Sequence, residues 1–442
     1  MRFLDSFFGR KHIEEDQPNI KFGRYSDAYK GRDHYEAWDK SLALFEEKNY
    51  IDSYIEFLKF LYDEHENNVK WEKKDGGLSF EILQGSNRII GFANVLKLKV
   101  EAKVAKADVL NINFMRRLME RNFKLEYSRY CLDEDNHITI VFDTYVLDGS
   151  PYKLYYALKE VATKADKLDD LLLDEFQMLK AIDTSLQIPI SNAHKHIKYQ
   201  FIQAQIKLVF DEIDNGKLDK EQYPGAIAYL LLDLCYKLDY LIKPEGFTME
   251  ALERIHRLYF AKNGKNMARK NEVLCKEFQQ LLQRPEEDYF KEMYRVNSTF
   301  GITVPVNHDR VKNFISGEIG NMDWYQEHGR SKIACAISGY IVGYCLFYYA
   351  IPKPDLELFH LYYQIMNADY FSDLGFSPKY YNTSTKEFDK KAIKHKIRSI
   401  QNNNEAKYDR LKPNTKLLKY SSLDEFAKSY LMMIQTLDLT KS

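Results

Sequence analysis

Val95-Leu96-Lys97-Leu98-Lys99-Val100-Glu101-Ala102-Lys103-Val104 alternates strictly from residue 96 onward. Leu96, Leu98, Val100, Ala102 and Val104 point one way, and Lys97, Lys99, Glu101 and Lys103 point the other. A period of two with apolar side chains on one side predicts an antiparallel strand with one face on a core and one in water. Upstream, Leu78, Phe80 and Ile82 alternate with Ser79 and Glu81, and Asn87 to Ala93 follows the Gly85-Ser86 turn as a second apolar strand. Further upstream, Asp33 to Glu66 is helical, with Leu42, Phe45, Tyr50, Tyr54, Phe57, Leu58 and Leu61 at three- and four-residue steps. Asn49 marks a turn between two antiparallel helices.

Downstream, Val109 to Asn122 has the spacing of a short helix, with Leu110, Phe114 and Leu118 inward and Asn122 as its stop. Two strands then face each other across Asp133-Glu134-Asp135-Asn136, one with Phe123, Leu125 and Tyr127, the other with Ile138, Ile140, Phe142 and Val146. Asp148-Gly149-Ser150-Pro151 ends the sheet and starts a helix, with Ser150 as N-cap and Pro151 in the first helical position. Leu154, Leu158, Val161, Ala165, Leu168, Leu172, Phe176 and Leu179 hold one stripe along it. The predicted order is α-β-β-β-α-β-β-α, a five-stranded antiparallel sheet with helices across residues 33–180.

That order, the short helix ending Leu118-Met119-Glu120-Arg121-Asn122, and the hairpin-then-helix ending resemble the YbjN-like group, which shares the type III secretion chaperone-like fold. The resemblance covers about a third of the chain. It implies a sheet with helices packed on it, often dimeric, acting as a protein-binding adaptor or chaperone, and it implies no catalytic residues.

From Ile182 onward the pattern is helical. Helices fit His194–Ile213, Tyr223–Leu241, Thr248–Lys262, Arg269–Gln283, Glu286–Val296, Arg310–Glu318, Ser331–Ile351, Asp355–Ala368, Lys390–Gln401 and Leu423–Leu437. Breakers separate them at Asn215-Gly216, Pro224-Gly225, Pro244, Pro285 and Pro352. The expected organisation is a tail over 1–32, an α+β domain over 33–180 and an all-α domain over 185–442. No period of repeat length recurs, so a solenoid is not predicted.

A chain of 442 residues exceeds one ordinary core. With 45% apolar and 29% charged residues it belongs with folded globular chains. A net charge of −1 argues against a general nucleic-acid binder. Five scattered cysteines fit reduced thiols in a cytoplasmic protein rather than a disulfide framework. Tyrosine is abundant, at 33 residues, and suits half-buried surfaces and interfaces. The N-terminus carries Asp5 inside too short an apolar run for a secretory signal; a segment tucked against the body or frayed is expected, with Phe3, Leu4, Phe7 and Phe8 as the face of a docking turn or a membrane-surface helix the alternative.

Ile333 to Ile351 holds 19 residues without a charge and includes Gly339-x-x-x-Gly343. Ser338, four tyrosines and the stop at Pro352 favour a buried core helix over a membrane span.

Several patterns carry chemistry on paper. Glu253-Arg-Ile-His256 and Glu357-Leu-Phe-His360 have the spacing that places two metal ligands on one helix face, and Glu277, Glu292 or Glu318 would be needed to complete a di-metal bundle site. A third match, Glu134 to His137, falls in a hairpin turn. Asp169-Asp170 with Asp174-Glu175 resembles a magnesium-diphosphate motif but alternates with a core stripe, so an acidic outer face is expected. Asp211 to Gly216 lacks a calcium loop's ligands because Ile213 and Gln222 occupy required positions. His194 and His196 lie on different helix faces. Cys335 and Cys345 sit in apolar sequence that leaves a thiol inert. Lys379 to Lys419, with twelve basic and four acidic residues, is expected to be a solvated face.

The expectation is therefore a protein-binding adaptor or chaperone-like protein, leaning away from enzyme, with no catalytic, cofactor or metal residues. A protein partner is expected, homodimerisation is an option, and neither nucleic acid nor a membrane span is expected. The alternatives are an enzyme with a metal or small-molecule site in the helical domain, and a scaffold subunit of a larger assembly. The expected contact surface is the polar face of the sheet, with Tyr130, Val141 and Tyr145 as anchors beside Lys97 and Lys99.

Overall fold

A computed structural model describes residues 17–107, 112–175, 179–180, 182–216 and 218–440. The chain forms an N-terminal region with a mainly antiparallel sheet and a larger helical C-terminal region, each built around its own hydrophobic core.

The N-terminal region opens with an antiparallel helix pair, α1 (Arg32–Glu46) and α2 (Tyr50–Leu61). Ser41 and Ser53 lock the pair, each hydroxyl donating to the other's backbone carbonyl at 2.8 Å. Strands β1 (Val69–Lys74), β2 (Gly77–Gln84), β3 (Asn87–Ala93) and β4 (Lys97–Ala107) follow, then α3 (Ile112–Asn122), β5 (Arg129–Leu132), β6 (His137–Tyr145), α4 (Pro151–Glu175) and the two-residue β7 (Leu179–Lys180). The sheet order is β1-β2-β3-β4-β6-β5, with β7 pairing β4.

The alternation in β4 does what its pattern requires. Leu98, Val100 and Ala102 pair across to Thr144, Phe142 and Ile140 on the inner face, while Lys97, Lys99 and Glu101 pair to Tyr145, Asp143 and Val141 on the outer one. Leu154, Ala157, Leu158, Val161 and Ala165 of α4 and Tyr54, Phe57, Leu58 and Leu61 of α2 fill the inner face. Gly91 is required there, since a Cβ would stand 2.0 Å from the Phe80 ring.

Two expectations need correction. The sheet has seven strands rather than five: the two-residue β7, whose Leu179 is expected on the helical stripe, is one addition, and β1 is the other. Its Val-Lys-Trp-Glu-Lys-Lys sequence hides the alternation under charge, which suits an edge strand that must not recruit another chain. Asp75 and Gly76 join it to β2 with φ of 49° and 73°, the left-handed pair that a tight hairpin turn needs.

The second correction concerns Phe123 to Tyr127, which is not a strand. Phe123 is 96% exposed and β5 begins only at Arg129. The Glu160 carboxylate of α4 explains this. It accepts the amides of Glu126, Tyr127 and Ser128 at 2.8, 3.0 and 2.9 Å and the Ser128 hydroxyl at 2.7 Å, so those amides serve α4 instead of a ladder.

The helical region comprises α5 (Asn192–Asn215), α6 (Pro224–Ile242), α7 (Gly246–Phe260), α8 (Met267–Gln283), α9 (Glu286–Lys291), α10 (His308–Glu318), α11 (Asn321–Glu327), α12 (Ser331–Tyr348), α13 (Lys353–Met366), α14 (Ala368–Asp373), α15 (Lys390–Asn404) and α16 (Leu423–Gln435). All ten anticipated helices are present; α11 and α14 are short additions. Helix α9 stops at Lys291, short of the expected Val296. Its continuation is extended, with Tyr294-Arg295 pairing Ile188-Pro189.

Helix α12 is apolar enough to cross a membrane by length and composition, yet 72% of its window is buried inside the protein. Its small residues face α6. A Cβ on Gly339 would stand 2.0 Å from Oδ1 of Asp233, and one on Gly343 would stand 2.5 Å from Cβ of Tyr236. The Gly-x-x-x-Gly spacing thus serves helix contact within a protein core.

The two regions interlock. Residues 297–301 cross from the helical region to the sheet, where Gln84 Oε1 accepts the Thr299 and Phe300 amides at 3.1 and 2.8 Å. Phe300 is buried in the sheet's core. Residues 17–31 form a strap along the seam: Phe22 packs on Phe371, Phe376 and His360, and Lys30 donates to the Leu61 carbonyl at 3.1 Å. The Phe3, Leu4, Phe7 and Phe8 face, Val109 and Leu110, and the Asp169–Glu175 side chains lie outside the described residues.

Candidate functional sites

Two places stand out: the outer face of the sheet, and a cavity at the seam.

On the outer face, the strand register sets Ile90 beside Glu101 and Phe92 beside Lys99, with Lys97 beside Tyr145 one strand further on. Ile90 is 49% exposed, Phe92 50% and Tyr145 55%. Val95 and Leu96 in the β3–β4 turn add further exposed apolar surface. Around them the charges pair in plane, Lys99 with Glu101 at 2.8 Å, Arg129 with Asp143 at 2.6 Å and Arg88 with Glu81 at 2.8 Å. The Lys97 ammonium lies 5.2 Å from the centre of the Tyr145 ring.

The predicted anchors fare unevenly. Lys97, Lys99 and Tyr145 are exposed on this face as expected. Tyr130 is not: it pairs with Ile140, points inward and belongs to the core. The displaced start of β5 moved it by one position, and one position reverses the face. Val141 is on the outer face but buried among its neighbours. Read as one apolar strand, Asn87 to Ala93 does not mark out Ile90 and Phe92; the alternation of Ile89, Gly91 and Ala93 against Ile90 and Phe92 is the signal that does.

The seam cavity, of about 120 Å³, lies between the strap, α4, the C-terminal end of α6, the start of α7 and residues 296–302. Arg24 from the strap forks onto Asp239, Nε to Oδ2 at 3.0 Å and Nη2 to Oδ1 at 2.6 Å, and Nη1 reaches Glu253 at 2.8 Å. Lys167 from α4 bonds the other Glu253 oxygen at 2.6 Å and also pairs with Glu250. Burial alone would raise the Glu253 pKa, but Arg24 and Lys167 outweigh it and pull it down to about 2, so this carboxylate stays ionised.

Lys243 lines the same cavity from the C-cap of α6, in the left-handed conformation at φ 47°. Burial lowers its pKa, against the opposing pull of Glu245. Nearby Lys198 donates to the Ile242 carbonyl at 2.7 Å. Burial, with Lys243 adding to it, brings its pKa down to about 8. Below the cavity, Glu292 caps α7 by accepting the Phe247 amide at 2.8 Å, and Arg284 binds both its oxygens at 2.6 and 2.7 Å.

The two Glu-x-x-His units are not brought together as a metal centre. Nδ1 of His256 meets the Tyr236 hydroxyl at 2.8 Å and Nδ1 of His360 meets the Tyr240 hydroxyl at 3.0 Å. Burial first holds both imidazoles down to about 4, so they are neutral near neutral pH. Glu253 serves Arg24, and Glu357 accepts from Asn404 at 2.6 Å. The proposed completing glutamates are committed too, Glu277 to Arg254, Glu292 to Arg284 and Glu318 to Tyr229. In the β5–β6 turn, Asp133, Asp135 and His137 lie close together, but Asp133 already holds Lys103 at 2.9 Å and His137 at 2.8 Å.

Cys235, Cys335 and Cys345 have thiol pKa values pushed up by burial, as inert core thiols do. The basic stretch finds local company: Lys419 pairs with Glu425 at 2.8 Å, and the Lys390 ammonium lies 5.2 Å from the Tyr420 ring centre.

A scan against protein-family models finds no match for this chain, and a search of curated proteins finds none either.

Proposed function

We propose that this chain is a protein-binding adaptor of the cytosol, chaperone-like in the manner of the YbjN-like group it resembles, and that it engages its partner through the outer face of the sheet. One observation carries the reading. Ile90 and Phe92 on β3 and Tyr145 on β6 stand about half exposed on the side away from α2 and α4, flanking the Lys99–Glu101 ion pair of β4. Half-exposed aromatic and aliphatic anchors interleaved with polar groups give a partner both apolar area to bury and charges to align on. The ion pairs already formed on that face keep it soluble while the partner is absent.

The test is affinity capture with the full chain and with an Ile90→Ser/Phe92→Ser variant. A partner identified with wild type and lost with the variant, at unchanged melting temperature, supports the reading. Identical partner profiles overturn it. A self-associated species that only the variant disrupts makes the partner a second copy of the chain.

A further inference from the structure

The proposed adaptor role leaves the seam cavity unused. We propose that Lys243 is a reactive amine that captures a small neutral carbonyl compound, an aldehyde or ketone, as an imine within the seam cavity.

The argument begins with space. The cavity, at about 120 Å³, is far larger than the roughly 10–15 Å³ that a single water needs. Lys243 lines it, and the nearest charges act on its ammonium through space rather than through a bond. Every other cation lining the cavity is committed: Arg24 to Asp239 and Glu253, Lys167 to Glu250 and Glu253.

Charge then selects the ligand. Arg24, Lys167 and Lys243 face Asp166, Asp239, Glu245 and Glu253 across the cavity. An anion would enter an acidic surplus. A neutral electrophile brings no charge against that surplus, and it is the class of compound that a neutral amine attacks.

The amine is also prepared for attack. Charged groups face it from each neighbouring element: Lys21 of the strap, Glu66 after α2, Asp166 of α4, Lys198 of α5 and Glu245 before α7. Burial and the two lysines favour the neutral amine; the three carboxylates oppose them, and the net effect is downward. A desolvated lysine beside a second cation is a recognised way to make a nucleophile at neutral pH. The nitrogen lone pair forms the new bond to the carbonyl carbon while the C=O π pair moves to oxygen. Loss of that oxygen as water, with the two amine hydrogens, leaves C=N, so no oxidant or reductant is consumed.

The experiment treats the full-length protein at pH 7 with limiting propanal and cyanoborohydride, which reduces the imine to a stable secondary amine, and maps labelled lysines by peptide mass spectrometry. Lys243 is expected to label ahead of surface lysines, by about tenfold for each unit of pKa depression. Labelling of Lys243 at or below the surface average overturns the proposal. Lys243→Arg keeps the charge and must abolish the fast phase; a fast phase that survives in this variant also overturns it. Should that variant fail to fold, the wild-type map decides alone. Loss of partner capture in the sheet-face variant leaves this labelling unchanged, so the two readings fail separately.

Discussion

Tyr240 and His360 are joined by a 3.0 Å hydrogen bond between the phenol and Nδ1, across the interface of α6 and α13. One turn earlier on α6, Tyr236 makes the same bond to His256 of α7 at 2.8 Å. The central helix thus reads two neighbours with one chemistry. Burial holds both imidazoles in the neutral form, so protonation must bring a charge into the core.

Acid should therefore weaken the fold in a defined window. His360 has its pKa lowered by burial to about 4, against about 6.5 in an unfolded chain. Between those values the unfolded state binds more protons, so stability rises with pH from about 4 to 6.5 and is flat above. Urea unfolding at several pH values should show this slope. His360→Gln, which keeps an acceptor for Tyr240, should reduce it by up to about 1.4 kcal/mol per pH unit. An unchanged slope would mean that His360 is not neutral in the fold.

Arg24 ties the strap to the helical core through two buried carboxylates. Removing one member of such a group strands the others. Arg24→Met should cost about 3–5 kcal/mol in chemical denaturation. A loss under about 1 kcal/mol would give the pair only the strength of an exposed one.

The two faces of the sheet should respond differently to the same change. Phe92→Ser, on the outer face, should lower stability by no more than about 1 kcal/mol while reducing partner capture. Tyr130→Ser, on the inner face, removes a core ring and should cost about 3–5 kcal/mol. Equal costs would contradict the register.

Gly339→Ala tests the packing of the apolar helix. The new Cβ would stand 2.0 Å from Asp233 Oδ1, so either the Asp233 side chain, paired with Lys237 at 2.9 Å, must shift or α12 and α6 must separate. A loss of about 1–3 kcal/mol is expected, read as a lower melting temperature. Wild-type stability in the variant would mean that the Asp233 carboxylate yields freely and does not hold the α12–α6 contact.

Much of the fold was legible because periodicity is local. The alternation in Lys97–Val104 and the stripe from Leu154 to Ala165 each state which face is wet, and both do so in the structure. Strand β1 was not legible, since an edge strand needs charge and charge conceals its period. The start of β5 was not legible either, because the amides of Glu126, Tyr127 and Ser128 are claimed by Glu160, some thirty residues away.

The candidate sites follow the same division. Lys97, Lys99 and Tyr145 could be placed on the outer face from sequence, because pairing register follows from alternation. The seam could not. The positions of Arg24, Lys167, Lys243 and Glu253 along the chain say nothing about their meeting, and their chemistry exists only where the strap, α4, α6 and α7 converge. The two Glu-x-x-His units mark the converse case, a local spacing that suggests metal until tertiary contacts give each histidine to a tyrosine and each glutamate to another side chain. Sequence by itself determined most of the elements and their wet and dry faces, since those depend on neighbours two residues apart in strands and three or four apart in helices. Tertiary structure alone decided which buried charges are answered and which lysines line the seam cavity, because those energies depend on distances that chain spacing does not encode.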